Sequence, residues 1–408
     1  MHTTRRDFLK QLSLGLASVA LPGSFTARAV ADASTVKIGV PATLTGPLAA
    51  YGKNALHGFE LAAREINARG GVLGKQIELV IFDISKPQDA KKSMYLFKER
   101  YNTIAIIGTD TVFYDKYMSE IAEDIQVPFF ILNPFSRTWY KTGLHYTFRL
   151  VPNVAMMAAN SLNYIVRIAS SRNVPISKIG LFVSDSPSWI EAKESLLKMV
   201  MERALSVSHI YSIRSNITLD SAKNLVRKSS SLHPDLIFLL TGSSRQLAMI
   251  VEQIRRSENK PKGIAGFFTD LGNAAYVAQT GRAFFNLLDI NYWGNPRLKI
   301  TEDFQNRYRE IYRAFPSNSS YGAYSATYIV KDAIEMAGSY DKRIFVSRLR
   351  EREFPSYLLA QSKPVRFDHH GLNINAVPIL LQVSNPRPIA IYPEFFAEKT
   401  PIFPTEVV

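Results

Sequence analysis

Short β-rich runs alternate with amphipathic helical patterns along nearly the whole chain, and this alternation constrains the fold more than any other feature. Val36-Lys37-Ile38-Gly39-Val40 reads as a strand. From Asn54 to Ala68, Leu56, Phe59, Ala63 and Ile66 share one helical face, and Gly70-Gly71 ends that helix. Strand 77–83, helix 89–101, strand 104–107, helix 115–125 and strand 128–131 follow. After Val151-Pro152 the pattern restarts: helix 154–169, strand 178–183, helix 188–204, strand 207–213, helix 220–231, strand 236–240 and helix 244–257. Such βα repetition implies parallel sheets covered by helices on both faces, and two successive sets imply two similar lobes. The last third differs, with helices near 301–315 and 321–337 and a strand-rich tail at 376–392. Periodicity alone does not divide that tail between the lobes.

The first residues read as an address. Arg5-Arg6 stands before Phe8-Leu9-Lys10, an apolar run extends from Leu12 to Leu21, and Ala27-Arg28-Ala29 and Ala29-Val30-Ala31 offer cleavage sites. A basic start, a short apolar run and an A-x-A end define an export signal, and the paired arginines place it in the twin-arginine class. The run is about half of the roughly 20 residues that span a bilayer. A signal over 1–31 and a periplasmic location are therefore expected, with cleavage after Ala31 or Ala29.

The formal charge is +14 and there are no cysteines. Arg5, Arg6, Lys10 and Arg28 against Asp7 account for three of those charges, which leaves eleven beyond the leader. The cations are scattered, without a basic helix or an aromatic RNA-binding motif, so nucleic acid is not an expected partner. Without cysteine there is no disulfide, thiolate metal site or lipidated anchor. Gly70-Gly71-Val72-Leu73-Gly74-Lys75-Gln76 lacks phosphate-loop spacing and joins helix to strand, so it reads as a turn. His369-His370 has no acidic or cysteine partner at metal spacing and reads as a surface turn. No nucleophile, base and oxyanion donors converge in the sequence, so no enzyme activity is expected. Nor is a cofactor.

In folds of this kind ligands sit beyond the carboxyl ends of the strands. That rule selects the loops 41–52, 108–113, 133–140, 184–189, 241–244 and 269–273. Where these loops lead into helices, the helix N-termini suit carboxylates.

Leu44-Thr45-Gly46-Pro47-Leu48-Ala49-Ala50-Tyr51-Gly52, Gly58, Glu65-Ile66-Asn67, Gly70-Gly71, Asp83, Ile106-Ile107-Gly108, Phe148-Arg149 and the tail Phe367-Asp368, Gly371, Asn373 and Gln382-Val383 occur in a telling order and spacing. In these the chain resembles the type I periplasmic substrate-binding proteins of branched-chain amino acid and amide importers. The resemblance implies an α/β fold of two Rossmann-like lobes joined by three crossovers. It assigns 34–152 plus 291–362 to lobe one and 153–290 plus 363–408 to lobe two, with a ligand cleft between them that closes as a hinge.

The resemblance also implies a set of contacts. Tyr51 falls at a contact position, or packs at the head of its helix. Thr109, Asp110 and Thr111 fall where hydroxyls and N–H groups hold a carboxylate. Thr111 matches a usual serine, whereas Asp110 departs from the pattern and either turns away, caps its helix or marks a different ligand. Ser136 or Thr138 supplies a hydroxyl. Arg137 clamps an acid group or lies in solvent. Trp189 covers the ligand or packs in the core. Asp270 pairs with an amino group or caps the next helix. Phe113, Tyr114, Phe135, Trp139, Tyr140 and Trp189 raise the prospect of a ligand with a flat or aromatic part. The function implied is that of a monomeric periplasmic subunit delivering an amino acid, amide or related small polar ligand to a permease and its ATPase. The alternative is a sensor presenting the same closed form to a receptor or regulator.

Overall fold

A computed structural model of the chain describes residues 34–46, 49–108, 114–134, 143–185, 187–277 and 280–405, and the backbone alone of 187, 188, 270 and 275. The expected leader over 1–31 lies outside the described residues.

The first lobe is built from β1 (Thr35–Ala42), α1 (Ala49–Ala68), β2 (Gln76–Asp83), α2 (Pro87–Glu99), β3 (Ala105–Ile107), α3 (Asp115–Ile125), β4 (Phe129–Ile131) and β5 (Thr147–Arg149). Its sheet has the order β2-β1-β3-β4-β5, and every pairing is parallel. Side chains alternate across it as strand geometry demands. Ile106, Phe129 and Ile131 face α2 and α3 with Met94, Phe97, Met118 and Ile121. Ala105, Ile107 and Phe130 belong to the opposite layer with Phe59, Ala62 and Ile66 of α1.

The second lobe contains α4 (Val154–Ser171), β6 (Lys178–Ser184), α5 (Pro187–Glu202), β7 (Ser206–Ile213), α6 (Leu219–Ser230), β8 (Leu236–Leu240), α7 (Ser244–Arg256), β9 (Gly263–Phe267), α8 (Ala274–Val277) and β10 (Leu288–Asn291). Its helices start where the sequence offers caps. Asn153 accepts from Met156 N at 2.8 Å, and Thr218 accepts from Ser221 N at 3.2 Å. In β8, Leu236, Phe238 and Leu240 face α4 and α5, whereas Ile237 and Leu239 face α6 and α7. This burial on both faces explains why the strand reads as a continuous apolar run.

The chain then returns to the first lobe for α9 (Lys299–Tyr312), α10 (Asn318–Ala337), α11 (Lys342–Glu351) and the short pair β11 (Glu353–Phe354) and β12 (Val365–Arg366). It crosses back for β13 (Ile379–Gln382) and β14 (Ile389–Tyr392), which are antiparallel additions to the second sheet. That sheet has the order β14-β13-β10-β9-β8-β6-β7. The two Rossmann-like lobes are thus joined by three crossovers, near 150–153, 292–298 and 373–378.

Residues 371–373, beyond the expected boundary at 362, run beside β5. Arg149 N donates to Gly371 O at 2.7 Å, and Asn373 N donates to Arg149 O at 2.9 Å. Gly371 makes this approach possible: its φ is +75°, and a Cβ there would lie 2.0 Å from Thr147 O. Helix starts also differ. α1 begins at Ala49, earlier than the expected Asn54, and α10 begins at Asn318 instead of 321. Just after Asp270 the described residues form a 3-10 turn (Asp270–Gly272) and then α8 (Ala274–Val277).

Candidate functional site

The carboxyl ends of the two sheets meet around one cavity. The exit of β1 supplies Pro41 and Ala42, the exit of β3 Gly108, and the exit of β4 Leu132 and Asn133. α1 adds Tyr51, Ala55 and Phe59, and the N-terminus of α10 adds Asn318 and Ser319. From the second lobe come Phe268, just past β9, and Tyr292, just past β10. The open space is about 10 Å³, about the room of one water.

Local chemistry fixes the rim. The loop after β1 is held by Asp83, whose carboxylate accepts from Leu44 N at 3.0 Å, Thr45 Oγ1 at 2.6 Å and Ser85 N at 3.1 Å. Gly52 lets α1 approach that loop, because a Cβ there would lie 2.1 Å from Thr43 O. The start of α10 is tied to α1: Ser319 Oγ donates to Tyr51 O at 3.4 Å and Ser320 Oγ to Asn54 O at 2.9 Å. The start of this 20-residue helix therefore borders the cavity through Asn318 and Ser319, while Ser317 accepts from the Ser320 N–H in a capping box.

The second-lobe wall is aromatic. Phe268 and Tyr292 stack with ring centroids 6.1 Å apart and planes 21° from parallel. Phe268 holds φ at +48°, an unusual conformation for a bulky residue. Behind it, the fully buried Asp289 accepts from Thr269 N at 3.1 Å, Thr269 Oγ1 at 2.9 Å and Asn291 Nδ2 at 2.9 Å. This bonding fixes the start of the turn that carries Asp270. Similarly, Gln246 Oε1 accepts from Ser184 Oγ at 2.8 Å and Thr241 Oγ1 at 2.5 Å, tying together the exits of β6 and β8. Among the described residues the cavity lining carries no charged side chain.

Residues 35–380 match the family model described as periplasmic binding protein. The chain belongs to the periplasmic binding protein family. Members of this family are solute-binding proteins of ABC transporters. A relative in Brucella abortus (strain 2308), Leu/Ile/Val-binding protein homolog 8, is 24% identical over 95% of this chain and 97% of its own length. Solved structures agree in fold. The branched-chain amino acid transporter substrate binding protein LivJ from Streptococcus pneumoniae, in complex with isoleucine, aligns with TM-score 0.74 and 21% identity over 87% of this chain and 98% of its own. A solute binding protein from Rhodopseudomonas palustris BisB5, in complex with 3,4-dihydroxybenzoic acid, aligns with TM-score 0.71 and 15% identity over 87% and 95%.

Within this periplasmic binding protein, the expected site residues fare unevenly. Tyr51 lines the cavity, half-buried. Thr109, Asp110, Thr111, Ser136, Arg137 and Thr138 lie outside the described residues, as does the side chain of Asp270. Trp189 is half-buried in the first turn of α5, 6.0 Å from Phe267 and edge-on to it at 89°. It therefore packs on the residue preceding the cavity wall. Tyr114 belongs to the first lobe: its hydroxyl donates to Ser85 O at 3.4 Å and its ring packs by Tyr117. Phe113, Phe135, Trp139 and Tyr140 lie outside the described residues. The aromatic surface the structure does bring to the cavity is Tyr51, Phe59, Phe268 and Tyr292. Phe268, Tyr292, Asn318 and Ser319 were not singled out from the sequence. Pro316-Ser317-Asn318-Ser319-Ser320 carries a helix-start signal that would have pointed to the last two.

Proposed function

We propose that the protein is the substrate-binding subunit of an ATP-driven importer, and that it captures a small polar carboxylate between its lobes. An amino acid, an amide or a related acid fits this description. The observation that carries the reading is the cavity where both sheets end, with the N-terminus of α10 bordering it beside the Phe268–Tyr292 wall. In this reading the helix N–H groups and the hydroxyls of Thr109, Thr111 and Ser136 receive the carboxylate. Tyr51 and Trp189 enclose the body of the ligand. Asp270 pairs with an amino group, and Arg137 or Asp110 tunes the ligand class. The uncharged lining leaves these flanking residues to supply full charges. Delivery is to a membrane permease and its ATPase, by a monomer exported through the twin-arginine route.

The aromatic lining also favours a ligand with a flat or branched apolar part. The isoleucine and 3,4-dihydroxybenzoic acid held by the two structural neighbours are both carboxylates with an apolar body. The test is mass spectrometry of ligand co-purified with the mature protein, followed by calorimetry with L-isoleucine, L-leucine, benzoate and 3,4-dihydroxybenzoate. A carboxylate that binds saturably and compacts the protein in solution scattering supports the reading. Binding confined to small aliphatic amino acids removes the aromatic preference, and a saturating ligand that leaves the scattering unchanged removes the closure mechanism.

A further inference from the structure

Asn373 is fully buried and uses every polar atom of its side chain. Its Nδ2, at the start of the third crossover, donates to Leu150 O on the first and to Gln361 Oε1 between β11 and β12, both at 3.0 Å. Its Oδ1 accepts from Arg366 N at 3.3 Å and Asn375 N at 3.2 Å. The donors face acceptors and the oxygen faces N–H groups, so only one orientation of the amide fits. The segment 358–360, beside Gln361, is bonded to the second crossover in turn. Ala360 N donates to Trp293 O at 2.9 Å, and Asn295 N donates to Leu358 O at 2.6 Å. Hydrogen bonds through Asn373 and Gln361, continued by the backbone from Gln361 to Ala360 and Leu358, thus connect the first crossover to the second. The crossovers surround a void of about 10 Å³ between Pro152, Trp293 and Gln361.

We infer that Asn373 is the positioning residue that couples the three crossovers, so that the lobes close about one shared axis. The inference rests on the closure mechanism proposed above. Three separate connections can bend and twist independently, and each freedom adds open conformations that ligand binding must then suppress. A buried amide bridging two of them removes that freedom before the ligand arrives. The crossovers move as a set, and less of the binding energy goes into ordering the hinge.

The deciding comparison is between two substitutions at Gln361. Both lose the Gln361 Nε2 donor to Lys363 O, but Gln361→Met also removes the acceptor for Asn373 at similar length, whereas Gln361→Glu keeps an acceptor there. Small-angle scattering and hydrogen exchange are recorded on the ligand-free mature protein. Gln361→Met gives a larger radius of gyration and faster exchange at both 149–153 and 359–363, while Gln361→Glu disturbs only the exchange near 361–363, through the lost bond to Lys363 O, and keeps the wild-type radius and protection at 149–153. With whichever carboxylate the calorimetric panel identifies, Gln361→Met binds roughly three- to tenfold more weakly, the worth of a lost hydrogen bond. Asn373→Asp is the direct variant, and if it does not fold the Gln361 pair still decides. A Gln361→Met protein whose melting temperature alone falls, with ligand-free radius and exchange unchanged, overturns the inference. Failure of the wild-type protein to compact with any ligand is a separate result, and it overturns the closure mechanism instead.

Discussion

The hydroxyl of Tyr292, at the exit of the second lobe's β10, donates to the carbonyl of Leu132 at the exit of the first lobe's β4, 2.8 Å away. Both residues line the cavity, so this bond joins the two lobes at the site itself. Tyr292→Phe keeps the stack on Phe268 and removes only the hydroxyl. The variant loses about 0.5–1.5 kcal/mol of stability in urea denaturation. Its affinity for the identified ligand also falls, because Leu132 and Asn133 are no longer held against the second lobe. Unchanged stability and affinity together would show the bond to be incidental.

The N-terminus of α10 gives a prediction that separates acid from amide binding. Ser319→Asp adds an anion in the first turn of a long helix, where the helix dipole favours it. The same carboxylate faces the cavity and repels a bound carboxylate at close range. The dipole offsets only part of the lost Ser319 donor to Tyr51 O, so melting temperature falls modestly, while affinity for a carboxylate ligand drops by at least about tenfold, or ~1.4 kcal/mol. A neutral amide analogue is largely spared. Equal losses for acid and amide in calorimetry would refute a carboxylate at this helix.

Much of the first lobe was legible because its signals are local. Leu44-Thr45-Gly46 leads into Gly52, and Asp83 ends the next strand. The structure shows why these residues go together: Asp83 holds Leu44 and Thr45, and Gly52 admits Thr43 O. β5 and β10 carried less signal, since strands of three and four residues show almost no periodicity. The tail's attachment was hard to read for another reason. Residues 371–373 join β5 across more than 200 positions of sequence, through Gly371 and Asn373, and no local pattern encodes such a partner. The cavity's aromatic wall was missed on similar grounds. Phe268 reads as the end of an apolar strand, and only its positive φ and its stack on Tyr292 mark it as a wall of the site.

Gly371 tests the tail's attachment. Gly371→Ala would force a side chain into left-handed backbone and into contact with Thr147 O. Relieving that contact pulls 371–373 from β5 and with it the backbone of Asn373. The cost is on the order of 2–4 kcal/mol. Denaturation reads the loss, and hydrogen exchange localises it to 147–150 and 371–373. A stable variant with wild-type protection there would mean that the tail does not depend on this approach.

His209 sets part of the acid limit of stability. Its ring is buried in the second lobe, with Ser208 Oγ 2.9 Å from Nδ1 and no hydrogen-bond partner at Nε2. Gly180 and Tyr211 pack against the ring, and the Tyr211 ring stacks 4.5 Å away. Burial penalises the charged imidazolium and lowers its pKa from 6.5 to about 4. The unfolded chain therefore takes up this proton first as pH falls. The stabilising contribution is present in full above about pH 6.5 and is lost progressively toward pH 4. The full shift would correspond to about 3 kcal/mol, and residual solvation of the ring reduces this to on the order of 1–2 kcal/mol. His209→Phe keeps an aromatic ring over Gly180 and has no proton to bind. Its stability at pH 4.5, relative to pH 7, falls by that much less than the wild type's, as measured by urea denaturation at both pH values. Identical losses in the two proteins would assign the acid limit to other groups.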